Sequence, residues 1–479
     1  MSIVWQSQYN KIILSENDRD TKRRIQMKKR VLSMLLVASM TGALLAGCGS
    51  GETASTDASA DTNTAAAGTE TAADAAATDG EAVTLKWAIW DQETTPYWNA
   101  LKEAYEAANP NVTIEMVDLG STDYMTVLAT ELSGSGSDFD VVTIKDVPGY
   151  ATLVQKNTLE SLDDYITDAG INLADFNGIT DQVTVDGSLY ELPFRSDYWL
   201  IYYNKDVFDA AGIAYPSNDM TMEDYDALAR QLTDTTYGSQ VYGCHYHTWR
   251  SAVELFGILD GKHSILDGNY DWMIPYYDMI LSEEDDGVCQ TYTDLSTEGL
   301  HYSAAFSNGN VAMMNMGSWF ISTLISNLDS GEYDSSLCGN WGIASYPHPD
   351  GAEAGSTIAT ITGLAVTSAS ANKDAAFDFV NWVSGTEGAK VMASTGNFPA
   401  IMTDDVINTI AGMAGFPTDE GSKEALNITN AYLEVPYAEN VSEINSILDT
   451  YHTSIMNREV TVEEGVASMN EQVGKILNQ

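Results

Sequence analysis

Cys48 carries the clearest chemistry in this chain. It ends the run Leu45-Ala46-Gly47-Cys48, which follows Lys28-Lys29-Arg30 and the small and apolar residues from Val31 to Leu45. Basic residues, an apolar stretch and small residues before a cysteine have the order of a bacterial secretion signal ending in a lipobox. Cleavage before Cys48 would free its thiol to carry a diacylglycerol, with palmitate-type acylation of the new N-terminus. The chain is thus expected at the extracytoplasmic face of the bacterial cell membrane, lipid-anchored through Cys48. The apolar stretch is about 15 residues, where a spanning helix needs roughly 20, so no transmembrane helix is expected. Met27 suits this signal as a start better than Met1 does.

The other reactive residue types fit known chemistries poorly. Cys244, Cys289 and Cys338 show no paired CxxC spacing, so at most one disulfide can form among them and no structural zinc site is expected. His245 and His247 could face one way from a strand, but the third and fourth ligands that zinc requires are not apparent. Asp267, Asn269 and Asp271 open like a calcium loop with Asp278 at the twelfth position. Trp272 then stands where such a loop needs glycine. No metal and no cofactor is predicted. GxSxG, HExxH and Walker A signatures are absent. A pair of carboxylates suited to glycoside hydrolysis is too easily found by chance in so acidic a chain to be informative.

The net charge is −47. Residues 1–47 hold eight of the 22 Lys/Arg and three of the 69 Asp/Glu, so the remainder is near −52. Nucleic-acid binding needs a basic face, and none is visible. Peripheral attachment to anionic lipid is disfavoured for the same reason. Gly49 to Ala82 is Ala, Thr, Gly, Ser and Asp with almost nothing large and apolar. It reads as a flexible tether (48–82 with the lipidated cysteine) behind the signal (1–47). The body from Val83 is roughly 400 residues, too long for one core, so two domains are the default.

The elements that must position any site follow from periodicity. Thr84 to Trp90 reads as a strand. Thr95 with Pro96 opens a helix with Leu101, Ala104, Tyr105 and Ala108 on one face. Val112, Ile114 and Met116 alternate as a strand, a helix runs from about Asp123 to Leu132, and Phe139 to Ile144 is a short buried strand. This alternation is the unit of a parallel sheet with covering helices. Thr221 with Asp224 resembles a capping box, Asn372 caps a further helix, and Thr461 with Glu464 opens the last one.

Three stretches then carry a resemblance. They are Leu192-Pro-Phe-Arg-Ser-Asp-Tyr-Trp-Leu-Ile-Tyr-Tyr-Asn-Lys-Asp-Val-Phe208, Phe306-Ser-Asn-Gly-Asn-Val-Ala-Met-Met314 running into Met316-Gly-Ser-Trp319, and Thr362-Gly-Leu-Ala-Val366. Together they resemble the extracellular solute-binding proteins of ABC importers, in the group that includes maltose-binding protein. The resemblance implies a two-lobed α/β fold of the periplasmic-binding-protein type (class II), each lobe a mainly parallel sheet flanked by helices, with a hinge between lobes. By analogy lobe 1 is 83–196 plus about 363–430, and lobe 2 is 197–362 plus about 431–479. Crossings fall near Arg195–Tyr198, near Thr360–Gly363 and between about 410 and 440.

It also implies a cleft ligand. Sugars present hydroxyls that need planar polar partners and C–H faces that stack on aromatic rings. Candidates are therefore aromatic and polar residues at strand ends and crossings: Trp90, Asp91, Gln92, Tyr124, Asp146, Arg195, Ser196, Asp197, Trp249, Arg250, Trp272, Gly317, Trp319, Thr360, Thr362, Asn397 and Tyr437. In related proteins a tryptophan at the place of Trp319 stacks on a sugar ring. The implied role is capture of a sugar or oligosaccharide by a monomer that hands it to ABC permease subunits, without chemistry. Two alternatives stay open: an extracellular glycoside hydrolase, and a binder of the same fold for a polyamine or other cation.

Overall fold

The computed structural model describes residues 82–478, apart from 94, 135–137 and 235–239. The signal, Cys48 and all of the tether but Ala82 lie outside the described residues. These described residues belong to one compact unit. None of their helices is long and apolar enough to cross a membrane.

Among the described residues, nine strands form the central sheet system. β1 (Val83–Ile89), β2 (Val112–Asp118) and β3 (Val141–Ile144) pair in parallel, with β1 in the middle. β4 (Leu192–Asn204) and β8 (Ser356–Val366) are the long strands. β8 runs antiparallel to both β3 and β4 and parallel to β9 (Asn430–Leu433). The far half of β4 pairs antiparallel with β6 (Val311–Gly317) and β7 (Trp341–Ser345), and β5 (Tyr242–His245) pairs in parallel with β6. The architecture is therefore a mixed sheet with flanking helices, where mainly parallel sheets were expected. The reason is local: β4 and β8 run through the middle of the sheet order, and each lies antiparallel to neighbours on both sides.

β4 changes partners within two residues. Tyr198 still faces Ala359 of β8, and Trp199 already faces Gly317 of β6. Nearly the whole of β4 is buried, which the apolar and aromatic run from Tyr198 to Tyr203 requires.

The helices follow their sequence signals with two differences. Thr95 sits at the N-cap of the helix Pro96–Ala108 with Pro96 at its start, but its side chain makes no capping bond. That helix buries Tyr97, Trp98, Leu101 and Tyr105, with Trp98 packed between Trp87 and Trp90, while Ala104 is half-buried and Ala108, its last residue, is exposed. Asn372 likewise makes no cap bond; its amide reaches Asp140 at 3.2 Å. The Thr221–Asp224 box is present, with reciprocal bonds of 3.1 and 3.2 Å. So is the Thr461–Glu464 box, which opens Val462–Leu477.

Candidate functional site

The site is built where β4 changes partners. Ser318, just past β6, accepts a bond from the Tyr198 amide at 3.2 Å, and its own amide donates to the Tyr198 carbonyl at 2.8 Å. Its hydroxyl donates to Asp197 at 3.0 Å, and Asp197 pairs with Arg195 at 2.6 Å. These bonds tie the helix Trp319–Ser330 to the switch in β4. The Trp319 indole then folds back over Gly317, where no side chain intervenes.

Three indoles converge there. Trp199 lies edge-on to Trp319 at 5.5 Å and to Trp249 at 6.3 Å, and Trp249 is tilted against Trp319 at 6.2 Å. Trp249 is 39% exposed, unusual for so large an apolar ring. The three rings line a cavity of about 360 Å³ that also meets Arg250, Ser251, Glu434, Asn445 and Asp449. Volumes of this order suit small ligands.

Two further cavities share its walls. One of about 540 Å³ begins on Trp319 and takes in Trp90, Tyr97, Arg195, Asn327 and Asn397. The other, about 370 Å³, shares Glu434, Val435 and Asn445 and runs past Lys145, Asp146 and Thr360. Through these shared residues the three cavities adjoin one another as a groove beside the switch point. Open α/β sheets place ligands at such switch points.

The polar groups of the groove are braced from behind. The Arg250 guanidinium donates to Glu254 at 2.5 Å, to the Asn445 carbonyl at 3.1 Å and side chain at 2.5 Å, and to Asp449. Ser251 donates to Glu434. Burial, followed by the nearby Glu254 charge, pushes the Glu434 carboxyl up to about 7, while Ser251 and Arg250 oppose the shift. Burial also raises Asp146, against a bond from the Gly149 amide at 2.7 Å and the Lys145 charge.

Of the candidate residues, Trp90, Asp146, Arg195, Trp249, Arg250, Trp319, Thr360 and Asn397 line the groove. Gly317 underlies it. The others do not line these cavities. Tyr124 is core: its hydroxyl donates to the Ala88 carbonyl at 3.0 Å and its ring packs 4.9 Å from Trp90. Trp272 packs over Gly257 and lies 5.1 Å from His263. Asp91 has a left-handed backbone (φ 46°), and with Gln92 it turns around the Asp118 carboxylate, which accepts both their amides. Ser196, Asp197 and Thr362 are buried in the β4–β8 ladder. Tyr437 packs 5.9 Å from Tyr150.

Sequence reasoning missed Trp199, Glu434, Asn445 and Asp449. Trp199 stands in one of the family motifs but reads as strand interior. Glu434, Asn445 and Asp449 fall in a region without a distinctive pattern. His245 is fully buried, its ring 6.4 Å from His247. Asp267 and Asn269 accept local turn bonds, and Asp271 accepts from Asn470.

Comparison with known proteins agrees with this geometry. A crystal structure of a sugar transporter from Rhizobium etli, in an open conformation, is 48% identical and superposes with a TM-score of 0.78, covering 82% of this chain and 99% of that one. A putative binding protein of Brucella abortus is 27% identical over 265 residues, 52% of this chain and 61% of that protein. A mannitol-binding protein of Pseudomonas aeruginosa is 23% identical over 301 residues, 61% of this chain and 67% of that protein. The chain thus spans about 61% of the length of the Brucella relative. Residues 91–390 match the bacterial extracellular solute-binding protein family, and the chain belongs to that family, with its two-lobed fold.

Proposed function

We propose that this protein captures a sugar or oligosaccharide in the groove beside the β4 switch, closes on it, and delivers it unaltered to an ABC permease. One observation carries the reading: three indoles meet at a groove that is also lined by carboxylates, an amide and a guanidinium. Rings can lie against apolar ring faces while the polar wall takes hydroxyls. The sugar-transporter and mannitol-binding relatives support the same ligand class.

The carboxylates that line the indole cavity are already engaged, Asp449 with Arg250 and Glu434 with Ser251. That favours a neutral ring over a polycation. Closure needs a ligand with higher affinity for the closed state, and the partner switch at Tyr198–Trp199 is where the two lobes would pivot. On this reading lobe 1 is 83–196 with about 363–430, and the rest of the body is lobe 2. Lipidation at Cys48 would hold a monomer beside its permease, on the outer face of the membrane.

The test is a thermal-shift screen of mono-, di- and oligosaccharides together with polyamines. A ligand at 100 times its Kd stabilises the folded state by about 2.7 kcal/mol. A sugar that raises Tm, shifts tryptophan fluorescence and is recovered intact supports capture. Cleavage of the sugar would point to a hydrolase, and a response to polyamines alone would defeat the sugar reading.

A further inference from the structure

Away from the groove, the fold gathers three side chains that sequence spacing kept apart. Cys244 lies in β5, Glu283 in the last turn of the helix Ile274–Asp285, and Cys289 just beyond it. Their two sulfurs and a carboxylate oxygen all lie within 4.8 Å of one another, and all three residues are buried. None lines the cavities described above.

The backbone fixes this grouping. The Gly243 amide donates to the Val288 carbonyl at 2.8 Å, which locks the segment carrying Cys289 alongside β5. The Val288 amide donates to the Glu283 carbonyl at 2.8 Å, which closes the helix end back onto the same place.

Glu283 gives an independent pointer. Its side chain is wholly buried, and neither carboxylate oxygen meets a donor in hydrogen-bonding geometry. A buried carboxylate left that way is expensive. Arg230, the guanidinium nearest in charge, is committed to Asp226 at 2.8 Å and Asp286 at 2.5 Å. The Tyr246 phenol, also buried and without a well-aligned partner, adjoins both Cys244 and Glu283.

We propose that Cys244, Glu283 and Cys289 bind a thiophilic divalent cation, zinc being the reference case, with the Tyr246 phenol at the fourth corner. Zinc takes sulfur at about 2.3 Å and oxygen at about 2.0–2.2 Å, so tetrahedral ligands stand roughly 3.4–3.8 Å apart. The three groups, within 4.8 Å of one another, would close by about 1 Å to reach that spacing. Two sulfurs exclude calcium and magnesium, which take oxygen. Binding forms two metal–sulfur bonds and two metal–oxygen bonds, one from the Glu283 carboxylate and one from the Tyr246 phenol, and releases both thiol protons, with the Glu283 proton where the carboxyl carries one, to solvent, with no change of oxidation state. A closed, buried shell leaves no open position for catalysis, so the ion would be structural, pinning β5 to the helix end.

The experiment uses the full chain, isolated without chelator and with its thiols reduced. Metal content is measured by elemental mass spectrometry. The chain is then unfolded, stripped and refolded with cobalt(II) or zinc(II). The expected result is one metal per chain, a thiolate-to-cobalt charge-transfer band, and a Tm that rises with zinc up to one equivalent. Glu283→Gln should weaken zinc at least tenfold, and Cys338→Ser, at a buried thiol outside the cluster, should change nothing. If Cys289→Ser does not fold, the zinc dependence of the wild-type Tm decides. Absence of the band and of any zinc effect on Tm would overturn the proposal. So would a Cys244–Cys289 disulfide in a second preparation isolated without reductant, found by mapping alkylated peptides.

Discussion

The Trp319 indole occupies the space a side chain at Gly317 would need: a Cβ there would stand 2.1 Å from Cζ3 and 2.2 Å from Cη2 of the ring. The glycine is thus required by close approach, since its own φ is not in the left-handed range. The Gly317-Ser318-Trp319 sequence places an indole flat against the end of β6, and Ser318 fastens it to β4.

Gly317→Ala should therefore act on binding more than on folding. Overpacking of this kind costs about 1–3 kcal/mol, and the ring can swing into the groove to relieve it. We expect at least a tenfold loss of affinity for the ligand found by screening, measured by calorimetry, with a small fall in Tm. Unchanged affinity would show that the ring's present pose is not the binding pose.

Arg250 is nearly fully buried and holds Glu254, Asn445 and Asp449 together, bridging the helix Ser251–Ile258 and the helix Val441–Met456. Removing one partner of a buried pair costs about 3–5 kcal/mol because the other charge is stranded. Arg250→Met should lower stability by that order in urea unfolding. The double change Arg250→Met with Glu254→Leu should recover much of it.

Glu191 supplies a pH signature. Its carboxylate is buried beneath Gly363 of β8, without a hydrogen-bond partner, and burial followed by the Asp146 charge pushes it up to about 8. The unfolded chain has an ordinary glutamate near 4.5. The folded state therefore binds the extra proton between these values. This contribution is full below about pH 4.5 and is lost as pH rises to 8. Buried His245 and His452, both lowered to about 3, work the other way, but only below about pH 6.5. Between pH 6.5 and 8 Glu191 should contribute a fall of up to about 1.4 kcal/mol per pH unit, alongside falls of the same sign from Glu434, raised to about 7, and Glu283, raised to about 8. Urea titrations of wild type and Glu191→Gln across this window should show a shallower slope in the variant.

The last helix depends on its capping box. Thr461→Ala removes the bond to the Glu464 amide at 3.2 Å and should cost about 1 kcal/mol. A urea midpoint shift without change in ligand affinity is expected, because neither residue lines the groove.

Much of the fold is legible in the order of residues. The strands and helices flanking Trp90 follow from period and turn residues, and the boxes at Thr221 and Thr461 follow from residue type at fixed spacing. Trp319 stands out because its motif follows a strand end, and Arg195 because its motif marks an expected crossing between lobes. Tyr124 and Trp272 mislead for a physical reason: an aromatic residue beside polar neighbours has the same local sequence whether it faces a groove or the core.

The sequence by itself determined the local elements, the acid-rich surface, the absence of a basic face and the family motifs around β4, because these depend on residue type and short-range spacing. Only the tertiary structure decided which aromatics meet. Trp199, Trp249 and Trp319 come from three separate segments, and Cys244, Glu283 and Cys289 converge only when β5 and a helix end are packed side by side. Such convergence is set by long-range strand pairing, in which residues far apart along the chain become neighbours, and no local pattern records it.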